Sequence, residues 1–167
     1  MSPGLDGEAL LHASCVAAKG PAGPCALLIL GPSGSGKSAL ALELISRGAV
    51  LVADDRVALR REGARLLASA PERISGLIEA RGVGLLRLPA LAAAEVAAVA
   101  DLRRAEPHRL PPLRRVRLCG VALPRLLCAG AAGAPGTAAA LLALLRAGGL
   151  RHAPGPRETA EPEEAPA

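Results

Sequence analysis

Gly31, Gly36, Lys37 and Ser38 stand in the run Gly31-Pro32-Ser33-Gly34-Ser35-Gly36-Lys37-Ser38, which meets the pattern GxxxxGK[ST] at every fixed position. Glycines let such a loop turn its backbone N–H groups onto one anion. The lysine adds a point charge near the outer phosphates, and the serine hydroxyl can ligate the magnesium ion that accompanies a nucleotide. All eight residues from Gly31 to Ser38 are therefore candidates for binding ATP. Only Lys19 and Lys37 among the twenty basic residues are lysines, so a chance match of this kind arises in about one such chain in a thousand.

Asp54 and Asp55 form a second candidate constellation, seventeen and eighteen residues after Lys37. They close the apolar run Ala49-Val50-Leu51-Val52-Ala53. In open α/β sheets ligands bind beyond the carboxyl ends of strands, and one strand–helix–strand crossover can return this pair beside the loop. A carboxylate there can accept a proton from an attacking hydroxyl or support a metal-bound water. Adjacent carboxylates on a strand end point in opposite directions, which divides them between two roles. His12 and the pair Glu79 and Arg81 are weaker candidates on residue type alone, since a lone histidine or a surface ion pair usually does no chemistry.

These residues need elements to hold them. Leu10 to Ala18 reads as a strand, followed by a Gly/Pro turn and the loop strand Ala26 to Leu30. A helix follows Lys37 and stops near Arg47-Gly48, where arginine and glycine suit a helix end. Arg61-Glu62-Gly63-Ala64 turns a hairpin between Val57–Arg60 and Arg65–Ser69, while Gly84–Leu88 and Val96–Leu102 are further strands. Thr137 is an N-cap for a helix over Ala138–Arg146, which Gly148-Gly149 end. The expectation is an α/β chain: one P-loop domain over 1–150, a mixed sheet with flanking helices, and a disordered Pro- and Glu-rich tail over 151–167.

Composition narrows the partners. The 167 residues suffice for one core, and they include no Phe, Tyr or Trp, so bases cannot be stacked on aromatic rings. A net charge of +5 without any nucleic-acid signature reads as a solvated basic face, so no nucleic-acid partner is expected. Leu126 to Leu145 is uncharged, but Pro135-Gly136 interrupt it, so no membrane span is expected either. Cys15, Cys25, Cys119 and Cys128 lack metal-ligand spacing and read as small buried thiols of a reducing cytosol. Met1 to Gly7 has no basic n-region, and a cytoplasmic protein is the expectation.

The segment Gly31 to Val57, with GAVLVADDRV at its end, resembles the catalytic domain of HPr kinase/phosphorylase. Ala70-Pro71-Glu72-Arg73 followed by LIEARGVGLL resembles that family's second signature, and LLHASCVA its strand before the loop. The likeness is strongest to the short proteobacterial form that lacks an N-terminal domain. It implies an ATP- and magnesium-dependent kinase for a serine of the phosphocarrier HPr or a homologue, regulating metabolism through the phosphotransferase system. It further implies catalytic roles for His12 and Lys37, a magnesium role for Ser38 and a base role for Asp54. Glu79 becomes a further metal contact and Arg109 takes the place of a later active-site arginine, while the division of the carboxylate pair leaves Asp55 to the metal shell or to capping local backbone. Full-length members assemble as hexamers, so the resemblance makes a homo-oligomer an expectation. The family's basic loop is here the uncharged CAGAAGAPGT, which leaves the reverse phosphorylase reaction unsupported. The rival readings are an ATP-binding sensor that transfers nothing and a kinase for a small metabolite.

Overall fold

The computed structural model describes residues 7–150; the tail expected over 151–167 lies outside them. Its order is β1 (Glu8–Leu11), β2 (Ser14–Gly20), β3 (Gly23–Leu30), α1 (Lys37–Ser46), β4 (Val50–Ala53), β5 (Val57–Glu62), β6 (Arg65–Ser69), β7 (Leu77–Ala80), β8 (Gly84–Arg87), β9 (Ala94–Asp101), β10 (Arg114–Leu118), β11 (Val121–Leu127) and α2 (Thr137–Arg146), with one 3-10 turn over Glu72–Ile74.

Nine strands make one mixed sheet: seven run in the order β1-β5-β6-β9-β3-β2-β4, and β11 with β10 branches from β9. β9 is its hub. β9 pairs along its length with β3 in parallel, and its other side is shared: β6 pairs antiparallel with Ala94 and Glu95, and β11 in parallel with Val99 to Asp101. β10 hangs on β11, and β7 pairs with β8 in a separate hairpin. The apolar run of β3 is explained by burial on both faces. Ala26, Leu28 and Leu30 enter a core inside the curled sheet with Val57, Leu59, Leu66 and Val116. Leu27 and Ile29 face the other way, into a core roofed by Leu40 and Leu44 of α1 and Leu141 and Leu145 of α2. This alternation is the period-two geometry of a strand.

Several expectations are corrected. The single strand over Leu10–Ala18 is two, β1 and β2, broken at His12-Ala13, so His12 sits in the break and not in a strand. β1 then pairs with β5 on the far edge, while β2 lies between β3 and β4. Gly136, in a left-handed conformation and without a side-chain cap, occupies the N-cap of α2, and Thr137 is its first helical residue. The basic stretch around Arg114 is strand β10, whose alternation buries Arg114 and exposes Arg115 and Arg117.

Candidate active site

The carboxyl ends of the parallel strands β3, β4 and β9 and the amino end of antiparallel β2 meet at one edge of the sheet. There lies a cleft of about 910 Å³ whose lining includes His12, Ser14, Lys37, Ser38, Asp54, Asp55 and Glu79. The glycine loop forms its floor. Gly31 leaves β3 beneath Ser35 and Leu102, and a Cβ there would lie 2.5 Å from Ser35 Oγ and 3.0 Å from Leu102 Cβ. Gly36, at φ +94, caps α1 and has Ala132 against it. The buried Lys37 donates from Nζ to the carbonyls of Gly31 (2.8 Å) and Pro32 (3.0 Å), leaving a third N–H for another acceptor. Burial lowers the pKa of this amine, and the charges of Asp54 and Asp55 push it back only in part.

Asp54, at the end of β4, is buried and collects hydrogen bonds from three elements. Ser14 of β2 donates to Oδ1 at 2.5 Å. Ser38 of α1 lies 2.8 Å from Oδ1 and 3.0 Å from Oδ2. The backbone N–H of Glu79 in β7 donates to Oδ2 at 3.2 Å. The carboxylate thus ties the glycine-loop helix to the second signature segment. Ser14 is a site residue that residue type alone did not mark. Its only sequence signal is a hydroxyl heading the apolar run Cys15-Val16-Ala17-Ala18.

Asp55 lies past the end of β4 in a turn, and its side chain is 68% exposed. Its φ of 64 is left-handed, and Arg56 N–H closes a tight turn onto Asp54 O at 2.7 Å. Few non-glycine residues adopt such a backbone, and Asp is among those that do. His12 Nδ1 sits 2.9 Å from the Asp55 carbonyl oxygen and 3.3 Å from its Oδ1. A carbonyl only accepts, so Nδ1 carries the proton. His12 Nε2 lies 3.4 Å from Ser33 Oγ in the glycine loop, so the imidazole bridges the acidic turn to the loop.

Opposite the glycine loop, Ile74, Leu77, Val83 and Leu85 make an apolar wall, with Val83 78% and Leu85 68% exposed at its rim. Glu79 and Arg81 line the cleft between this wall and Asp54. Arg109 is the sequence candidate that the structure leaves apart: it is exposed in the segment between β9 and β10 and does not line the cleft.

Behind the glycine loop a second polar cluster closes the end of β9. Asp101, fully buried, accepts from Arg103 Nε (2.9 Å) on Oδ1 and from Arg103 Nη2 (2.8 Å) and Arg125 Nε (3.0 Å) on Oδ2. Burial by itself raises the Asp101 pKa. The hydrogen bonds and charge of Arg103, joined by the Arg125 bond, outweigh that and hold it down to about 2. Leu102 N–H donates to Leu30 O at 2.8 Å, so this cluster pins the backbone from which Gly31 departs.

A magnesium nucleotide fits these residues. Ser35 Oγ is buried without a hydrogen-bond partner beside Gly31, and Gly34 at φ +80 has open space where a Cβ would stand. Ser38 and Asp54 offer hard oxygen donors of the kind magnesium takes alongside phosphates. Among the described residues no group of three His, Cys, Asp or Glu side chains gathers for a metal. No described helix is long and apolar enough to cross a membrane.

The family model described as HPr Serine kinase C-terminal domain matches residues 5–99. The HPr kinase/phosphorylase of Brevibacillus brevis is 42% identical over 92 residues, covering 50% of this chain and 30% of that protein. The HPr kinase/phosphorylase of Geobacillus thermodenitrificans is 38% identical over 113 residues, covering 60% and 37%. The chain thus spans less than two-fifths of the length of these relatives. The solved structure of the HPr(Ser) kinase/phosphatase from Coxiella burnetii superposes with a TM-score of 0.66 at 26% identity, covering 82% of this chain and 93% of that one.

Proposed function

This chain belongs to the HPr serine kinase C-terminal domain family, and from that membership and the geometry of its cleft we propose that it transfers the γ-phosphoryl group of ATP to a serine hydroxyl of the phosphocarrier HPr or a homologue. One observation carries the reading: the buried Asp54 carboxylate lies 2.8 Å from the hydroxyl of Ser38, the last residue of the glycine loop. A proton acceptor therefore stands one side chain away from phosphate-binding machinery.

The glycine loop N–H groups and the Lys37 ammonium hold the outer phosphates of the substrate. Ser38 would hold the magnesium ion, with Glu79 and Asp55, which line the same cleft, as further oxygen donors. When bound, the ion supplies counter-charge for the phosphates. Asp54 accepts the proton of the acceptor serine as its oxygen attacks in line. His12, through Ser33, fixes the loop relative to the acidic turn.

The segment between β11 and α2 leaves the forward reaction as it stands but adds no charged group for the reverse one. It carries no charged side chain, and it packs on the loop helix through Gly133 N–H to Glu43 (3.2 Å).

The test is incubation with labelled ATP, magnesium and purified HPr, reading phosphoserine. Wild-type protein forms it, and Asp54→Asn loses roughly 10²-fold or more in rate while nucleotide affinity stays within about threefold. ATP binding by the wild type with no transfer to HPr would overturn the kinase reading in favour of a sensor.

A further inference from the structure

Of the three groups that donate to the Asp54 carboxylate, one is given no role by residue type or by resemblance: Ser14, whose hydroxyl is completely buried. We infer that Ser14 is the positioning residue of the phosphotransfer base, holding Asp54 in one orientation and occupying Oδ1 so that Oδ2 receives the acceptor's proton. This rests on the reading of Asp54 as the base.

The register of the sheet brings the two residues together. Along β2 and β4, Val16 pairs with Leu51 but Cys15 pairs with Ala53, so Val52 is an extra residue on β4. One more antiparallel step places Ser14 opposite Asp54. Without the extra residue Ala13 would stand there, and Ala13 has no donor to offer. A bulge beside a site that re-aims a side chain is a recurrent device of sheets. Ser14 shares its face of β2 with Val16 and Ala18, which pack into the core under α1, so its hydroxyl approaches the carboxylate from the side on which Ser38 stands.

Chemistry points the same way. A hydroxyl buried among Ala13, Cys15 and Val16 would cost ~1–3 kcal/mol without a partner, and its recorded partner is Asp54 Oδ1. Each carboxylate oxygen has two accepting positions. Ser14 and the shorter contact of Ser38 fill those of Oδ1, while Oδ2 has Glu79 N–H and the longer Ser38 contact at 3.0 Å. When Ser38 turns to the metal, its longer contact is released and that position on Oδ2 is open to the acceptor's proton. As the serine oxygen bonds to phosphorus and the bond to the departing ADP oxygen breaks, the serine proton moves to Oδ2 and later to solvent. Ser38 has a second duty at the metal, whereas Ser14 has none, so Ser14 keeps the carboxylate aligned throughout.

The experiment compares Ser14→Ala with Ser14→Thr, which restores a hydroxyl on a β-branched side chain suited to a strand. Ser14→Ala should lower kcat by ~10- to 100-fold, the range set by ångström-scale misplacement of a reacting group, with KM for ATP and for HPr within about twofold. Ser14→Thr should recover most of kcat. A Ser14→Ala kcat within threefold of wild type, or a loss borne by KM alone, overturns the inference. A crystal structure of Ser14→Ala separates this from failure of the kinase reading: a rotated Asp54 carboxylate supports the positioning role even if wild type transfers nothing to HPr, and an unmoved one overturns it.

Discussion

His12 and Asp55 are joined twice, through the Nδ1 contact to the Asp55 carbonyl oxygen at 2.9 Å and through the contact to its carboxylate at 3.3 Å. With Nε2 near Ser33, the ring couples the turn after β4 to the glycine loop after β3. His12→Ala should therefore lower kcat/KM for ATP by ~10-fold or more while costing only about 1 kcal/mol of stability, since the ring is 40% exposed. Steady-state kinetics beside denaturant melts check this. A stability loss that matches the kinetic loss would make the role merely structural. Nitrogen-15 NMR should find the proton on Nδ1.

The left-handed Asp55 sets a second expectation. At φ 64 a β-carbon is strained unless its side chain tolerates that region, and the strain is of order 1–3 kcal/mol. Asp55→Gly should match or exceed wild-type stability, whereas Asp55→Ala should fall below it by about 1 kcal/mol. Urea unfolding of the two variants decides, and equal midpoints would remove the strain.

Asp101 governs behaviour in acid. Its pKa is depressed from 3.8 to about 2, so its contribution to stability is complete above about pH 4 and is lost as the pH falls toward 2. The shift corresponds to about 2 kcal/mol. Asp101→Asn removes the carboxylate to which the buried Arg125 donates, at a cost of ~3 kcal/mol or more, and it should flatten the loss of stability between pH 4 and 2. Thermal melts across that window test it. A variant that keeps the wild-type pH slope would assign the acid lability to other carboxylates.

Much of the fold was legible in the residues. The loop strand, the helix after Lys37, the Val57–Ser69 hairpin and the final helix are local, each carried by a contiguous pattern and its own turn residues. β10 and β11 escaped because their arginines mask the alternation, and Arg114 and Arg125 are buried by ion pairs with Glu106 and Asp101 that no local pattern announces. β7 escaped because four residues between two glycine turns carry too little periodicity. Glu79 was marked for its side chain, yet it is its backbone N–H that touches Asp54.

By itself the sequence determined the phosphate loop, because eight adjacent residues suffice to curve the backbone and supply the lysine and the hydroxyl. It also determined that two carboxylates follow the next strand; the left-handed turn at Asp55, not strand alternation, separates them. The tertiary structure alone decided what surrounds them. That Ser14 and not Ala13 meets Asp54 depends on one extra residue in the β2–β4 ladder, and a one-residue slip exchanges every inward and outward side chain. That Arg109 stays outside the cleft depends on the course of the segment after β9. Register and loop course arise from contacts among distant segments, which adjacent residues do not encode.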